Sequence, residues 1–245
     1  MAEQPAVGAV KGFEVVGNTV SIAAPPARVR VEFLTDDLFR IRAAPGRHFT
    51  DPGDAAPTPS GASGPADMVV KVDYQGVAPE VADVGSYVRF STAALTLRLY
   101  KEPLRFGLYG PDGETRIVEE TRSLTWDDGD GQTTQYLTRG PVEQYFGGGM
   151  QNGRFSHRHK TIDIAVSYNW DDGGCPNSVP FYLSSAGYAV FRHTYAAGSY
   201  RFGNQVRTRH GERRFDAYYF VGSAKQVIDR YTELTGRPLM PPVYG

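Results

Sequence analysis

Arg28-Val29-Arg30-Val31-Glu32-Phe33-Leu34 puts a charge at every second position and an apolar side chain between, and Leu38-Phe39-Arg40-Ile41-Arg42 repeats the pattern after Thr35-Asp36-Asp37. Successive side chains of an extended strand point to opposite faces, so each segment has one buried face and one charged face. Similar runs recur at short spacing: Phe13–Val16 and Thr19–Ile22 around Gly17-Asn18, then Val69–Val72, Tyr87–Phe90, Leu95–Leu99, Arg105–Tyr109 and Arg116–Val118. About a dozen strands separated by turns, with no helix among them, predict an all-β fold. The architecture expected is a large antiparallel β-sandwich. Composition agrees. The 28 glycines and 17 prolines make about 18% of 245 residues against a usual ~12%, and 15 Tyr with 13 Phe suit a half-buried pleated surface.

Two segments interrupt this pattern. Residues 51–66 (Asp-Pro-Gly-Asp-Ala-Ala-Pro-Thr-Pro-Ser-Gly-Ala-Ser-Gly-Pro-Ala) contain almost nothing large and apolar, which predicts an exposed, mobile insertion inside the domain. Near the end, Ser223 with Gln226 three residues on forms a capping-box signature. Val227, Ile228, Tyr231 and Leu234 then share one helical face, and Gly236 and Pro238 stop the helix in a left-handed turn. The expected organisation is a sandwich over 1–222, followed by an exit helix and a Pro-rich connector over 223–245.

Charge and cysteine usage exclude several classes. A net charge of −1 offers no broad basic face for nucleic acid. The nearest approach is Arg207, Arg209, His210, Arg213 and Arg214, read as the outer face of two strands rather than a phosphate site. No apolar run approaches the ~18 residues needed to span a membrane, and the amino terminus lacks a basic n-region and apolar h-region, so a cytoplasmic location is expected. Cys175 is the sole cysteine and has neither a disulfide partner nor metal-type spacing around it. No metal and no cofactor is expected. His157 and His159 lack a third ligand and read as an exposed loop or strand edge. The triple glycine 147–149 is followed by no helix that would face a phosphate, so it reads as a place of close strand or domain packing.

Four motifs in order carry a family resemblance. Gln144-Tyr145-Phe146-Gly147-Gly148-Gly149, Pro180-Phe181-Tyr182 through Gly187-Tyr188-Ala189-Val190, Phe215-Asp216-Ala217-Tyr218-Tyr219 and Tyr231-Thr232-Glu233-Leu234-Thr235-Gly236-Arg237-Pro238 resemble the amino-terminal, galactose-mutarotase-like sandwich of glycoside hydrolase family 31. That family contains α-glucosidases, α-xylosidases, α-glucosyltransferases and α-glucan lyases. The resemblance implies that the chain ends where a catalytic (β/α)8 barrel of the same parent protein would begin. It also implies an α-linked glucose oligosaccharide or polysaccharide as the parent's substrate. The family's two catalytic aspartates belong to that barrel. None of Asp163, Asp171, Asp172 or Asp216 matches their motifs, so no catalytic residue is assigned. Met150 stands where the commoner pattern has a glutamate. With Asn169-Trp170-Asp171-Asp172-Gly173-Gly174 downstream, the chain is most similar to the branch holding α-glucan lyases and isomaltosyl- or glucosyltransferases.

The sugar-contact candidates are Asn169, Trp170, Asp171 and Asp172. An indole face can stack on a pyranose ring, and the amide and carboxylates can bond its hydroxyls. The resemblance implies that a loop at this place reaches over the barrel mouth. The alternative is a plain turn with Trp170 as a core anchor. Two other functions remain open: a stand-alone carbohydrate-binding module, and a mutarotase-like enzyme pairing His193 with Glu212 or Glu233.

Overall fold

A computed structural model describes residues 5–46, 49, 68–127, 131–167 and 169–239. The insertion 51–66 and the connector beyond Leu239 lie outside the described residues. The alternating segments form β1 (Gly12–Val16), β2 (Thr19–Ala24), β3 (Ala27–Thr35) and β4 (Leu38–Pro45), a run of antiparallel neighbours. They continue through β18 (Phe215–Val221), β15 (Tyr188–Arg192), β14 (Asn177–Ser184) and β12 (Tyr145–Met150) into one eight-stranded sheet.

Two five-stranded sheets face it. One contains β10 (Thr125–Trp126), β11 (Thr133–Leu137), β17 (Val206–His210), β16 (Gly198–Phe202) and β13 (Thr161–Ile164), in that spatial order. The other runs β5 (Glu80–Asp83), β6 (Tyr87–Ser91), β7 (Thr96–Lys101), β8 (Leu104–Tyr109) and β9 (Arg116–Glu119). Val29, Val31 and Phe33 of β3 meet Phe90, Leu97 and Phe106 of the second small sheet in a single core, which also takes Tyr182 and Tyr219 from the large sheet and Tyr200 and Phe202 from the first small one. Each buried Val, Leu or Phe among them contributes about 1.5–3 kcal/mol. The all-β sandwich is what the alternation predicts, with eighteen strands among the described residues rather than about a dozen.

The outer face of the large sheet holds a second, smaller core. Helix α1 (Ala224–Thr235) lays Val227 and Leu234 on Leu38, Ala189, Phe191 and Phe220, while Tyr231 stacks on Phe181. Both halves of the Ser223–Gln226 capping box form. Ile228, expected on the apolar face, is 52% exposed instead. Gly236 ends the helix at φ 100°, ψ 134°, a positive φ that suits glycine but not the left-handed helical turn expected.

Three further expectations are corrected. Val69–Val72 is no strand: the Val70 and Lys71 amides both donate to the Leu234 carbonyl, so this stretch caps the end of α1. His210 is fully buried rather than on an outer face, with its imidazole between Tyr200 Oη (3.0 Å) and the Ala196 carbonyl (2.8 Å). Burial and the Arg192 charge push its pKa down to about 3, so it is neutral. Arg214 is likewise buried. His157 is 1% exposed, its Nε2 sits 2.8 Å from the Gly147 carbonyl, and burial lowers its pKa. Among the described residues no helix is long and apolar enough to cross a membrane.

Candidate sugar-contact loop

The triple glycine lets two loops meet. Gly147, Gly148 and Gly149 all have positive φ, and β12 shifts register against β14 between Gly147 and Gly149. A Cβ on Gly149 would lie 2.2 Å from the Asn177 carbonyl oxygen, and one on Gly147 would lie 2.7 Å from that of Phe181. Close packing of the backbone, as the sequence reading expects, is therefore what these glycines permit. The chain then turns through 151–155 beside the 167–176 loop.

Backbone hydrogen bonds tie these segments together. Asn152 donates to the Gly174 carbonyl and Gly173 donates back to that of Asn152, each at 3.0 Å. Ser167 and Cys175 close the base of the loop: the Ser167 amide donates to the Cys175 carbonyl (3.0 Å), and the Cys175 amide to Ser167 Oγ (2.9 Å). Asn169 Oδ1 accepts from the Asp171 amide at 2.9 Å, a local Asx turn that shapes the tip. Beneath the loop, Gln151 Nε2 donates to the carbonyls of Gly148 and Asp163. Cys175 is buried against it, and burial, with the Asp163 charge, pushes the thiol up, away from nucleophile chemistry.

Asn169, Trp170, Asp171 and Asp172 all reach solvent at this tip. Trp170 is 69% exposed, so it is no core anchor. Among the described residues, the Asp171 and Asp172 carboxylates accept no hydrogen bond and join no ion pair, and the Trp170 indole N–H has no acceptor. Phe155, 88% exposed and edge-on to Phe146, and Met150, 45% exposed, flank the same end of the sandwich. Flat apolar area beside unsatisfied acceptors is the chemistry that grips a sugar: ring faces stack and hydroxyls donate.

The alternative acid–base pair does not assemble. His193 Nδ1 lies 3.2 Å from Asp216 Oδ2, not beside Glu212 or Glu233. Glu212 accepts from Arg214 at 3.0 Å, and Glu233 pairs with Lys71 and Arg230. Asp216 is 1% exposed and accepts two hydrogen bonds from the Arg40 fork, at 2.8 and 2.7 Å, and one from Arg214 at 3.3 Å. Burial opposes its ionisation, but the hydrogen bonds and charges of Arg40 and His193 hold the carboxyl well below the usual carboxylate range. A base that weak cannot take a sugar hydroxyl's proton. Sequence reading missed this cluster because its members are far apart in the chain; the single hint was Asp216 amid the large apolar residues of β18. Among the described residues, no three His, Cys, Asp or Glu side chains group as a metal site.

The comparisons with known proteins place this fold. A family model described as the glycosyl hydrolase 31 N-terminal galactose mutarotase-like domain matches residues 28–200. The chain belongs to that family. Among curated glycoside hydrolase family 31 relatives, the isomaltosyltransferase of Sporosarcina globispora is 23% identical over 89% of this chain and 20% of its own length. Alpha-glucosidase 2 of Bacillus thermoamyloliquefaciens is 24% identical over 98% of this chain and 30% of its own. A dextranase of the family from Flavobacterium johnsoniae, solved with isomaltotriose, superposes with a TM-score of 0.83 at 19% identity, covering 98% of this chain and 29% of the dextranase. The cycloalternan-forming enzyme from Listeria monocytogenes, in complex with a pentasaccharide substrate, gives 0.77 at 18% identity, over 97% of this chain and 23% of that one. The chain thus spans less than a third of the length of these relatives.

Proposed function

We propose that this chain is the non-catalytic N-terminal domain of a glycoside hydrolase family 31 enzyme acting on α-linked glucose oligosaccharides or polysaccharides. In this reading α1 and the Pro-rich stretch after it lead into a catalytic (β/α)8 barrel of the same parent, and the Asn169–Asp172 loop contributes to sugar binding. The observation that carries the loop's role is the exposed Trp170 beside two unpartnered carboxylates, on a tip braced by the 151–155 turn. The names of the relatives, an isomaltosyltransferase and a dextranase among them, support an α-glucan substrate. The sandwich serves the barrel as a rigid support, since the loop's two anchors, β13 and β14, are held in different sheets across one core.

The test uses the intact parent enzyme and three variants, Trp170→Ala, Asp171→Ala and Asp172→Ala. Losing one stacking or hydrogen-bond contact costs about 1–3 kcal/mol, roughly 5- to 150-fold in kcat/KM. Melting temperatures stay nearly unchanged, because exposed side chains without partners shift stability by only about 0.5 kcal/mol. Unaltered kinetics in all three variants would remove the loop from sugar binding.

A further inference from the structure

The outer face of the sheet containing β11, β17, β16 and β13 carries a row of four side chains in register: Tyr136, Arg207, Arg201 and Thr161. Arg201 and Arg207 are direct cross-strand neighbours, an arrangement that repels. At one end of the row the chain folds around a cleft of about 430 Å³ lined by Tyr136, His159, Arg201, Asn204, Gln205 and Arg207. Arg122 covers one face of Tyr136 at 4.0 Å, and Arg139 and Arg158 both reach His159. None of Arg122, Arg139, Arg158, Arg201 or Arg207 forms an ion pair with a described acidic residue. Glu119, the acid at the neighbouring edge of the second small sheet, is taken by Arg105, Tyr100 and Tyr109.

The cluster is frustrated as it stands. Arg158 Nε lies 3.0 Å from His159 Nε2 and Arg139 Nη1 lies 3.3 Å from Nδ1, so guanidinium donors face both ring nitrogens. A neutral imidazole accepts at only one of them. His159 is also the sole non-glycine residue with positive φ among the described residues, at 62°. Such a conformation is strained for a residue with a Cβ and gathers at ligand clamps. Partial desolvation, followed by the charges of Arg139, Arg158 and Lys160, lowers its pKa. The Nε atoms of Arg139 and Arg207 are buried without an acceptor. Gln205, which lines the cleft, has its Oε1 occupied by the Thr121 hydroxyl, so its side chain offers the cleft donors rather than an acceptor. The lining therefore offers many donors, excess positive charge and few acceptors.

We propose that this cleft is a binding site for a phosphoryl group, free or carried on a small molecule such as a sugar phosphate, with Arg201 and Arg207 as its principal ligands. Guanidinium forks match phosphate oxygens bidentately. A phosphoryl group brings three acceptor oxygens and a charge of about −1.5 to −2 at neutral pH, which answers two facing guanidiniums better than the single charge of a carboxylate does. The site uses no residue of the Asn169–Asp172 loop, so its test is independent of the function proposed above.

The experiment is a thermal-shift and calorimetric titration of the protein and its Arg201→Gln and Arg207→Gln variants at low ionic strength. Inorganic phosphate, glucose 6-phosphate, glucuronate and glucose are the probes. The expected result is saturable stabilisation by one or both phosphoryl compounds, weakened about tenfold or more in either variant, the effect of losing a charge-assisted hydrogen bond. Stronger binding of glucose 6-phosphate than of phosphate would place the source on a sugar; the reverse would identify the free ion. Without any probe, Arg201→Gln should melt higher than the parent protein at low salt, with the gap closing at about 1 M salt, where charges are screened within ~3 Å. Saturable binding of glucuronate alone, phosphate binding untouched by both variants, or no binding of either phosphoryl compound would overturn the proposal. So would an Arg201→Gln variant that melts lower at low salt.

Discussion

Glu120 gives the sharpest energetic test of the fold. It is 3% exposed inside the sandwich, where its carboxyl accepts from the Phe106 amide (3.0 Å) and from Gln135 Nε2 (2.9 Å), and Gln135 in turn bonds Tyr219. Burial outweighs these hydrogen bonds and the Arg105 charge, and pushes the pKa from 4.5 up to about 7. A carboxyl raised on folding adds no penalty below its unfolded value. As pH rises through 4.5 the unfolded chain releases its proton while the folded protein keeps it, and stability falls. The loss levels off above the folded pKa near 7, having reached roughly 3 kcal/mol at 1.36 kcal/mol per unit. Glu120→Gln removes the titration. The amide keeps one acceptor but turns an NH2 toward a donor, so the variant should be about 1 kcal/mol less stable than the parent at pH 5. At pH 8 it should be more stable by about 1–2 kcal/mol, because it escapes the ionisation cost. Urea unfolding of both proteins at the two pH values reads the difference, and titrations common to both cancel. An identical stability gap at pH 5 and pH 8 would refute the buried, protonated Glu120.

Two other substitutions probe the packing beside the candidate loop and under the large sheet. Asp216→Ala leaves the Arg40 guanidinium without its carboxylate and should cost about 3–5 kcal/mol in urea unfolding. The Asp216 ion pairs also make the protein lose stability as pH falls below about 4, toward the depressed folded value, a slope that the variant should lack. Gly149→Ala forces a Cβ onto the Asn177 carbonyl at φ 83°, so it should lower stability by at least ~1–3 kcal/mol. A melting temperature equal to the parent's would show that the β12–β14 contact is looser than described.

Period-two alternation made most of the strands legible, since it needs only local residues: β3 and β4 follow it almost residue by residue. It failed where a short β-branched run had another use. Val69–Val72 reads as a strand, but its amides serve the end of α1, a partner more than 160 positions away that no local pattern reveals. Arg207, Arg209 and His210 illustrate a different limit. Grouping them by charge hid their parity, which sends Arg207 and Arg209 outward and places His210 with Val206 and Thr208 in the interior. The loop's exposure was open for a physical reason: tryptophan is apolar enough to anchor a core and flat enough to face a sugar. The loop that carries it is closed by the Asn152–Gly174 and Ser167–Cys175 backbone pairings, contacts between segments that no local pattern reveals, and Trp170 stands in solvent.

Under the function proposed above, these residues support and shape a sugar site without carrying the chemistry. The direct measurement is turnover by residues 1–245 alone, at high protein concentration, on maltose, isomaltose and nitrophenyl α-glucoside. Glycoside cleavage needs two carboxyls flanking the bond, commonly ~5–9.5 Å apart, one of them free to give or take a proton. Asp216 is bound by arginines, and Asp171 and Asp172 share one exposed loop tip. Residues 1–245 alone should show no turnover above the uncatalysed rate. Hydrolysis that survives purification and disappears on substituting Asp171, Asp172 or Asp216 would contradict it.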